Sequence, residues 1–226
     1  MDICCKRFPL GGLWTNGYLF YADESAKPEG GGGSGKKQKT KEAFFIDPGG
    51  DAQDVIEYLS QNNLKLKAVL LTHGHLDHLA GIEKLVPFVG EEIYIARDDA
   101  PLLKHPPEEV QAALGMECDG VEVFKTVSDG DVLSIGALEI KVMATPGHTP
   151  GSVCYMISCG DKNILATGDT LFAQSVGRTD LPGGDWNKLA CSLERLAKLP
   201  DDLQVLPGHG PDTTIGRERK SNPFWP

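Results

Sequence analysis

The sequence predicts an α/β or α+β fold in which helices cover β-sheets, and three observations support this class. Short apolar or alternating strand patterns recur along the 226 residues and are separated by segments with helical periodicity. Each strand-rich half has its own helical segments, which favours stacked layers of sheet and helix. A chain of this length buries about 70 % of its unfolded surface, enough for a sizeable core. Residues 1–226 are therefore expected to form a single domain.

The elements follow in chain order. Helical patterns cover residues 78–86, 108–115 and 186–198; Asp185 is a good N-cap for the last of these, and Pro200 stops it. Strands are predicted over residues 17–21, 43–46, 67–71, 92–96, 121–126, 132–135, 138–144, 152–158, 163–167 and 203–206, the last strand of the chain.

One segment differs in composition from the rest. Residues 28–41 (PEGGGGSGKKQKTK) are rich in glycine and lysine and contain no apolar side chain. Such a segment between two strand patterns predicts a flexible, solvated hairpin tip. A basic targeting or nucleic-acid patch is the alternative.

Charge and cysteine usage exclude several classes of function. The formal net charge is −10, which disfavours a protein that neutralises a nucleic-acid backbone. No run of about 18 apolar residues exists, and the first residues lack the apolar core of a secretory signal. The six cysteines form no CxxC pair, so we expect reduced thiols and a cytoplasmic location.

A dense group of metal-binding side chains follows the strand at 67–71. Residues 72–78 read THGHLDH and hold three of the six histidines. His73 and His75 lie two positions apart in an extended segment and so project to the same side. Asp77 and His78 enter the first helical turn and diverge from that pair. Imidazole and carboxylate donors without thiolate suit zinc, and also iron, manganese or cobalt.

Three more candidates follow apolar strands in glycine-bearing turns, where sites are commonly built. They are His148 in TPGHTPG (145–151), Asp169 in GDT (168–170) and His209 in PGHGP (207–211). His105 breaks this rule and is left out. By ligand count, His73, His75 and His148 fill one metal site, Asp77, His78 and His209 can fill a second, and Asp169 can bridge both. Two such metals sharing a water are the usual arrangement for hydrolysis.

These blocks resemble the metallo-β-lactamase superfamily, and within it the short glyoxalase II-like (hydroxyacylglutathione hydrolase-like) hydrolases. Further matching pieces are Thr15-Asn16, IDPGG (46–50) and SVGRTD (175–180). The resemblance covers residues 2–224, with 28–41 as an insertion. It implies an αββα sandwich of two mixed sheets with helices on the outer faces. It also implies the same division of metal ligands. Asp47 is a candidate for orienting a ligand imidazole, with a simple Asp-Pro turn residue as the alternative.

One departure concerns substrate recognition. Glyoxalase II enzymes carry a C-terminal helical domain with basic residues for glutathione, and this chain ends about where that domain would begin. Arg178 is a candidate for a substrate carboxylate, with a structural ion pair as the alternative. Arg217, Arg219 and Lys220 are better explained as a solvated tail.

We therefore expect a hydrolase of small-molecule thioesters, possibly derived from glutathione, in which a hydroxide between two zinc ions attacks the carbonyl. Asp77 and Asp169 are the expected catalytic carboxylates. The alternatives are an iron oxidoreductase resembling persulfide dioxygenases, with iron on His73, His148 and Asp169, or a hydrolase of a lactone, a β-lactam or another ester. A metal-binding module without activity is the least favoured reading.

Overall fold

The computed structural model describes residues 1–23 and 40–226. Most of the glycine- and lysine-rich segment predicted at 28–41 lies outside these residues. Lys41, its last residue, begins a strand instead of belonging to a loop.

Two six-stranded sheets form the centre of the fold. The first has the order β1-β2-β3-β4-β5-β6, and the second β14-β13-β10-β9-β8-β7. The strands of the first sheet are β1 (Asp2–Leu10), β2 (Thr15–Asp23), β3 (Lys41–Ile46), β4 (Leu64–Leu70), β5 (Ile93–Ala96) and β6 (Lys125–Val127). Those of the second are β7 (Val132–Ile135), β8 (Leu138–Ala144), β9 (Val153–Cys159), β10 (Lys162–Gly168), β13 (Gln204–Pro207) and β14 (Thr213–Thr214).

Both sheets are mixed. In the first, β2 pairs antiparallel with β1 and β3, whereas β3, β4, β5 and β6 run parallel. In the second, β10 and β13 are parallel and the other pairs are antiparallel. A small hairpin of β11 (Leu171–Phe172) and β12 (Ser175–Val176) follows β10.

Helices cover the outer faces of both sheets. They are α1 (Gln53–Gln61), α2 (Leu76–Leu79), α3 (Val86–Val89), α4 (Ala100–Lys104), α5 (Glu108–Leu114), α6 (Trp186–Leu196) and α7 (Ile215–Ser221). The longest described helix, α6, has 11 residues, well short of the about 20 that a membrane-spanning helix needs. Asp185 caps α6, as the sequence predicts, by accepting hydrogen bonds from Asn187 N and Lys188 N.

Alternating side chains fill three apolar layers. On β2, Phe20 faces the second sheet, whereas its neighbour Leu19 faces the helices. Phe44 and Phe45 on β3 divide in the same way, and Phe20 stacks on Phe44 with ring centroids 5.2 Å apart. Because both faces of these strands are buried, their sequences are nearly continuous apolar runs. The predicted αββα sandwich is confirmed.

Several predicted elements differ from the structure. The helix predicted at 78–86 is broken into α2, a 3₁₀ turn at Ile82–Lys84 and α3. At the break, the Gly81 N–H donates to the Pro48 carbonyl at 2.7 Å instead of continuing the helix, and this close approach requires glycine because a Cβ atom would lie 1.7 Å from the Gly50 carbonyl oxygen. The strand predicted at 121–126 is wrong for residues 121–124, since only Lys125–Val127 pairs with β5. The sequence patterns also missed β1, α1, α4, the hairpin of β11 and β12, β14 and α7, so the strand at 203–206 is not the last.

Candidate metal centre

The site lies where the carboxyl ends of strands from both sheets meet. The segment 72–78 follows β4, and the turns that hold His148, Asp169 and His209 follow β8, β10 and β13. A direct hydrogen bond from Val153 N to Thr72 O, 2.8 Å long, joins the two sheets at this edge.

Three imidazoles form the first donor group. His73 Nε2 lies 3.1 Å from His75 Nδ1, so the two side chains do project to the same side. The His148 ring lies 4.8 Å from the His73 ring and 4.6 Å from the His75 ring, centroid to centroid. One ligand atom from each residue lies within 4.8 Å of the others, close enough to hold one metal ion.

A mixed group of one carboxylate and two imidazoles lies beside the first. Asp77 and His78 are in α2, and His209 approaches from the end of β13. His209 Nε2 lies 3.3 Å from both Asp77 Oδ2 and His78 Nε2. These residues form a second set that could hold an ion.

Asp169 lies between the two groups. Its Oδ1 is 3.3 Å from His78 Nε2 in the second group, and its Oδ2 is 3.6 Å from His148 Nε2 in the first. The carboxylate therefore faces both groups, which is the placement that a bridging ligand requires. This approach depends on Gly208, because a Cβ atom there would lie 2.3 Å from Asp169 Oδ1.

Partners outside the cluster fix the orientation of three rings. Asp47 Oδ2 is 2.9 Å from His78 Nδ1, the Arg178 carbonyl is 2.8 Å from His148 Nδ1, and the Leu13 carbonyl is 3.2 Å from His209 Nδ1. In each ring the other nitrogen is left to face the cluster, which is the usual arrangement around a metal-ligating histidine.

Asp47 itself is held firmly. It is buried, and its carboxylate accepts hydrogen bonds from Thr72 N at 2.8 Å and Thr72 Oγ1 at 2.6 Å. Its φ of +54° is rare for a residue other than glycine and marks a strained position. The sequence hypothesis that Asp47 orients an imidazole agrees with this geometry.

Burial and neighbouring charges shift the histidine pKa values of the two groups in opposite directions. Burial lowers the pKa of His73 well below its ordinary value, and it lowers the pKa of His75 to about 4, with repulsion among the clustered histidines adding to the effect. Burial acts in the same direction on His78, but attraction to Asp169 and Asp47 outweighs it and raises the His78 pKa.

The carboxylates respond in the opposite sense. Burial would raise the pKa of Asp77, but contact with His209 and the charge of His78 outweigh it and hold that pKa below its usual range. The pKa of Asp169 is likewise lowered, since attraction to His78 outweighs its burial.

The donor set fits a divalent cation. Within the described part of the chain, no group hydrogen-bonds His148 Nε2 or Asp169 Oδ1, although both atoms are buried. Unpartnered buried polar atoms are rare and are costly without a ligand. Imidazole and carboxylate donors are those that zinc, iron and manganese accept.

The remaining candidates lie apart from the cluster. The Arg178 guanidinium is exposed and pairs with Asp180 through two contacts of 2.7 Å. This is the structural ion pair that the sequence analysis gave as the alternative to binding a substrate carboxylate. Arg219 pairs with Asp201 at the surface. His105 is exposed on the chain after α4.

Sequence reasoning did not assign a role to Asn16. Its side-chain amide donates to the carbonyls of Pro207 at 3.0 Å and Gly210 at 2.9 Å, which flank His209. Its backbone N–H also donates to Gly208 O at 2.7 Å. Asn16 thus holds the turn that carries His209. Asn16 and Pro207 are 191 positions apart, so no local sequence pattern could have revealed this role.

A model of the metallo-beta-lactamase superfamily matches residues 38–209. The chain belongs to the metallo-beta-lactamase superfamily. The hydroxyacylglutathione hydrolase GloC of Haemophilus influenzae is 37 % identical over 187 residues, covering 81 % of this chain and 87 % of that protein. This membership supports a metal-dependent hydrolase.

Solved structures agree with the superfamily assignment. The BLEG-1 B3 metallo-beta-lactamase superimposes with a TM-score of 0.83 at 34 % identity, covering 98 % of this chain and 99 % of its own. TTHA1623 in a di-iron-bound form gives a TM-score of 0.78 at 31 % identity, covering 97 % and 99 %.

Proposed function

We propose that this chain hydrolyses a small-molecule thioester, such as S-D-lactoylglutathione, with two divalent cations. The first would be held by His73, His75 and His148, and the second by Asp77, His78 and His209, with Asp169 shared. The observation that carries this proposal is the convergence of seven donor side chains with Asp169 between the two groups. Zinc suits these donors best, and iron or manganese are the alternatives, with iron supported by the di-iron form of TTHA1623.

Bound there, the cations would polarise the substrate carbonyl and lower the pKa of an attacking water. The side chains of the site have the protonation states that cation binding needs. Burial keeps His73 and His75 neutral at pH 7, so their lone pairs are available. Asp77 is ionised at neutral pH, because its pKa is held below its usual range. Its carboxylate is therefore available to a cation, whereas the same lowering makes it a weak base for the proton of the attacking water.

A thioester suits a site without a strong general acid. A thiol leaving group has a pKa of about 8.5, so the departing thiolate needs little protonation. A nucleophilic cysteine is not favoured near the site, because burial raises the pKa of Cys154 to about 11 and keeps that thiol protonated. Similarity to the hydroxyacylglutathione hydrolase GloC supports a glutathione-derived substrate.

The test is hydrolysis of S-D-lactoylglutathione by protein loaded with zinc, iron or manganese. The matched variants are Asp169→Ala, which removes the shared carboxylate, and His105→Ala, which removes an exposed histidine outside the cluster. We expect metal-dependent turnover that is lost in Asp169→Ala and kept in His105→Ala. No turnover by protein that carries two metals per chain would overturn the proposed substrate.

Similarity to BLEG-1 favours a β-lactam as the second candidate substrate. A chromogenic cephalosporin in the same assay separates the two, because a thioesterase should leave it uncleaved. A mononuclear iron oxidoreductase is less favoured, because His209 and Asp77 complete a second donor group. An oxidoreductase of this kind would bind one iron per chain and would produce sulfite from a persulfide.

A further inference from the structure

Asp99 is a buried carboxylate outside the seven proposed ligands. It follows β5, and its side chain is fully buried. The carboxylate accepts three hydrogen bonds: from Gly74 N at 2.8 Å and Thr149 Oγ1 at 2.6 Å to Oδ2, and from Gly151 N at 2.7 Å to Oδ1. None of the ion pairs within residues 1–23 and 40–226 includes Asp99, so these donors are what stabilise its charge.

The three donors belong to the two turns that carry the first group. Gly74 separates His73 from His75, and Thr149 follows His148 directly. Thr149 is itself fixed, because its N–H donates to Ser152 Oγ at 3.0 Å and its hydroxyl lies 2.7 Å from the same atom. One carboxylate therefore connects the turn after β4 with the turn after β8.

Close packing supports the same connection independently. A Cβ atom at Gly151 would lie 2.6 Å from Asp99 Cγ, and one at Gly74 would lie 3.1 Å from the Asp99 carbonyl oxygen. The turn at Gly151 lies against residue 99 at a distance that only glycine permits, and the turn at Gly74 lies closer to it than most side chains would allow. Small movements of Asp99 would therefore be transmitted to both turns.

We propose that Asp99 is a positioning residue that sets the separation of His75 and His148 and thereby the metal affinity of the first group. This inference rests on the proposed function, because it takes His73, His75 and His148 as one metal site. The His75 and His148 rings are perpendicular, with centroids 4.6 Å apart, and the turns that carry them are tied to Asp99 through Gly74 N and Gly151 N.

Asp99→Asn tests this role at constant size. An amide has one acceptor oxygen and one donor NH₂, whereas Asp99 offers two acceptor oxygens. Whichever way the amide points, its NH₂ faces the N–H of either Gly74 or Gly151. One buried backbone donor then loses its acceptor, and the turn that carries it must move.

The experiment measures zinc content and zinc affinity, by chelator competition, for the wild type, Asp99→Asn and Ile157→Ala. Ile157 is a fully buried core residue of β9, so its truncation lowers stability without removing a hydrogen bond. We expect two zinc ions per chain in the wild type and in Ile157→Ala. In Asp99→Asn, one zinc should bind at least about tenfold more weakly, the lower end of the range for partners that orient ligands.

Double variants identify which zinc is affected. If Asp99 acts on the first group, adding Asp99→Asn to His148→Ala should cause little further loss of affinity, because that group is already broken. Adding it to His209→Ala should leave neither zinc tightly bound. The d–d spectrum of cobalt-substituted Asp99→Asn should change only in the bands that His148→Ala also changes.

Two failures are distinguishable. If the wild type binds fewer than two zinc ions, the proposed two-metal site is wrong. If it binds two and Asp99→Asn holds both with unchanged affinity, or loses affinity no more than Ile157→Ala does, the positioning role of Asp99 is wrong and the proposed function stands.

Discussion

The two donor groups are neighbours, yet they are built differently. The first consists of imidazoles alone, and burial lowers the pKa of His73 and His75 so that both are neutral. The second contains Asp77, and its His78 lies against Asp47 and Asp169, which raise the pKa of His78 above its ordinary value. Low dielectric dominates in the first group, and paired charges dominate in the second. The difference teaches that one edge of a fold can set the protonation of two neighbouring donor groups by two physical routes.

The contacts that hold the ligand side chains in place also differ between the two donor groups. The first group depends on Asp99, which accepts hydrogen bonds from backbone N–H groups of its two turns, and on the Arg178 carbonyl, which lies against the His148 ring at Nδ1. The second depends on a carboxylate that contacts a ring directly, since Asp47 Oδ2 is 2.9 Å from His78 Nδ1. Changes to the shared carboxylate should affect both groups, and changes to each support should affect one.

The largest effect is expected for Asp169→Ala. Removing the carboxylate that faces both groups should lower kcat/KM by about a thousandfold, because metal-assisted charge stabilisation of several kcal/mol is lost. Thioester hydrolysis and metal content should be measured on the same sample. Full activity with two metals per chain would show that Asp169 is dispensable and would break the two-group account.

The next largest effect is expected for His148→Ala and His209→Ala, whose metal contents should be compared with each other. Each should bind one cation fewer than the wild type, His148→Ala from the first group and His209→Ala from the second. Metal analysis after dialysis gives the stoichiometry, and His105→Ala is the control with an exposed histidine. Loss of both cations in either variant would mean that the groups act as one unit.

A smaller effect is expected for Asp47→Asn. The amide keeps the size of the side chain but cannot accept from both Thr72 and His78 as the carboxylate does. The second cation should bind about 10–100-fold more weakly, and the first should change much less. Asp54→Asn, at an exposed carboxylate of α1, is the control in the chelator titration. Equal weakening of both cations would argue against separate supports.

The smallest effect is expected for Arg178→Ala. The guanidinium pairs with Asp180 at the surface, while the backbone carbonyl of residue 178 that holds His148 is kept in the variant. If the side chain recognises a substrate carboxylate, KM should rise several-fold with kcat and metal content unchanged. Steady-state kinetics should be measured for both Arg178→Ala and Asp180→Ala. An unchanged KM in Arg178→Ala would exclude recognition of a substrate carboxylate and leave a structural ion pair.

Much of the fold could be predicted from local pattern. The strands Val132–Ile135 and Leu138–Ala144 and the cap at Asp185 agree with the structure, because alternation and capping are local properties. The helix at 78–86 could not be resolved into its pieces, since the break depends on Gly81 lying against Gly50. Strand β1 was missed because four of its nine residues are exposed and its charged residues interrupt the alternation.

The sequence by itself determined the candidate donor set and its chemistry: five histidines and two aspartates, each placed after an apolar strand. Only the tertiary structure decided which atoms face one another and what holds them there. Asp99 and Thr149 are 50 residues apart, and Asn16 and Pro207 are 191 apart, so neither contact leaves a local pattern. The physical reason is that side-chain chemistry is fixed by composition, whereas the spacing of ligands is fixed by packing between distant turns.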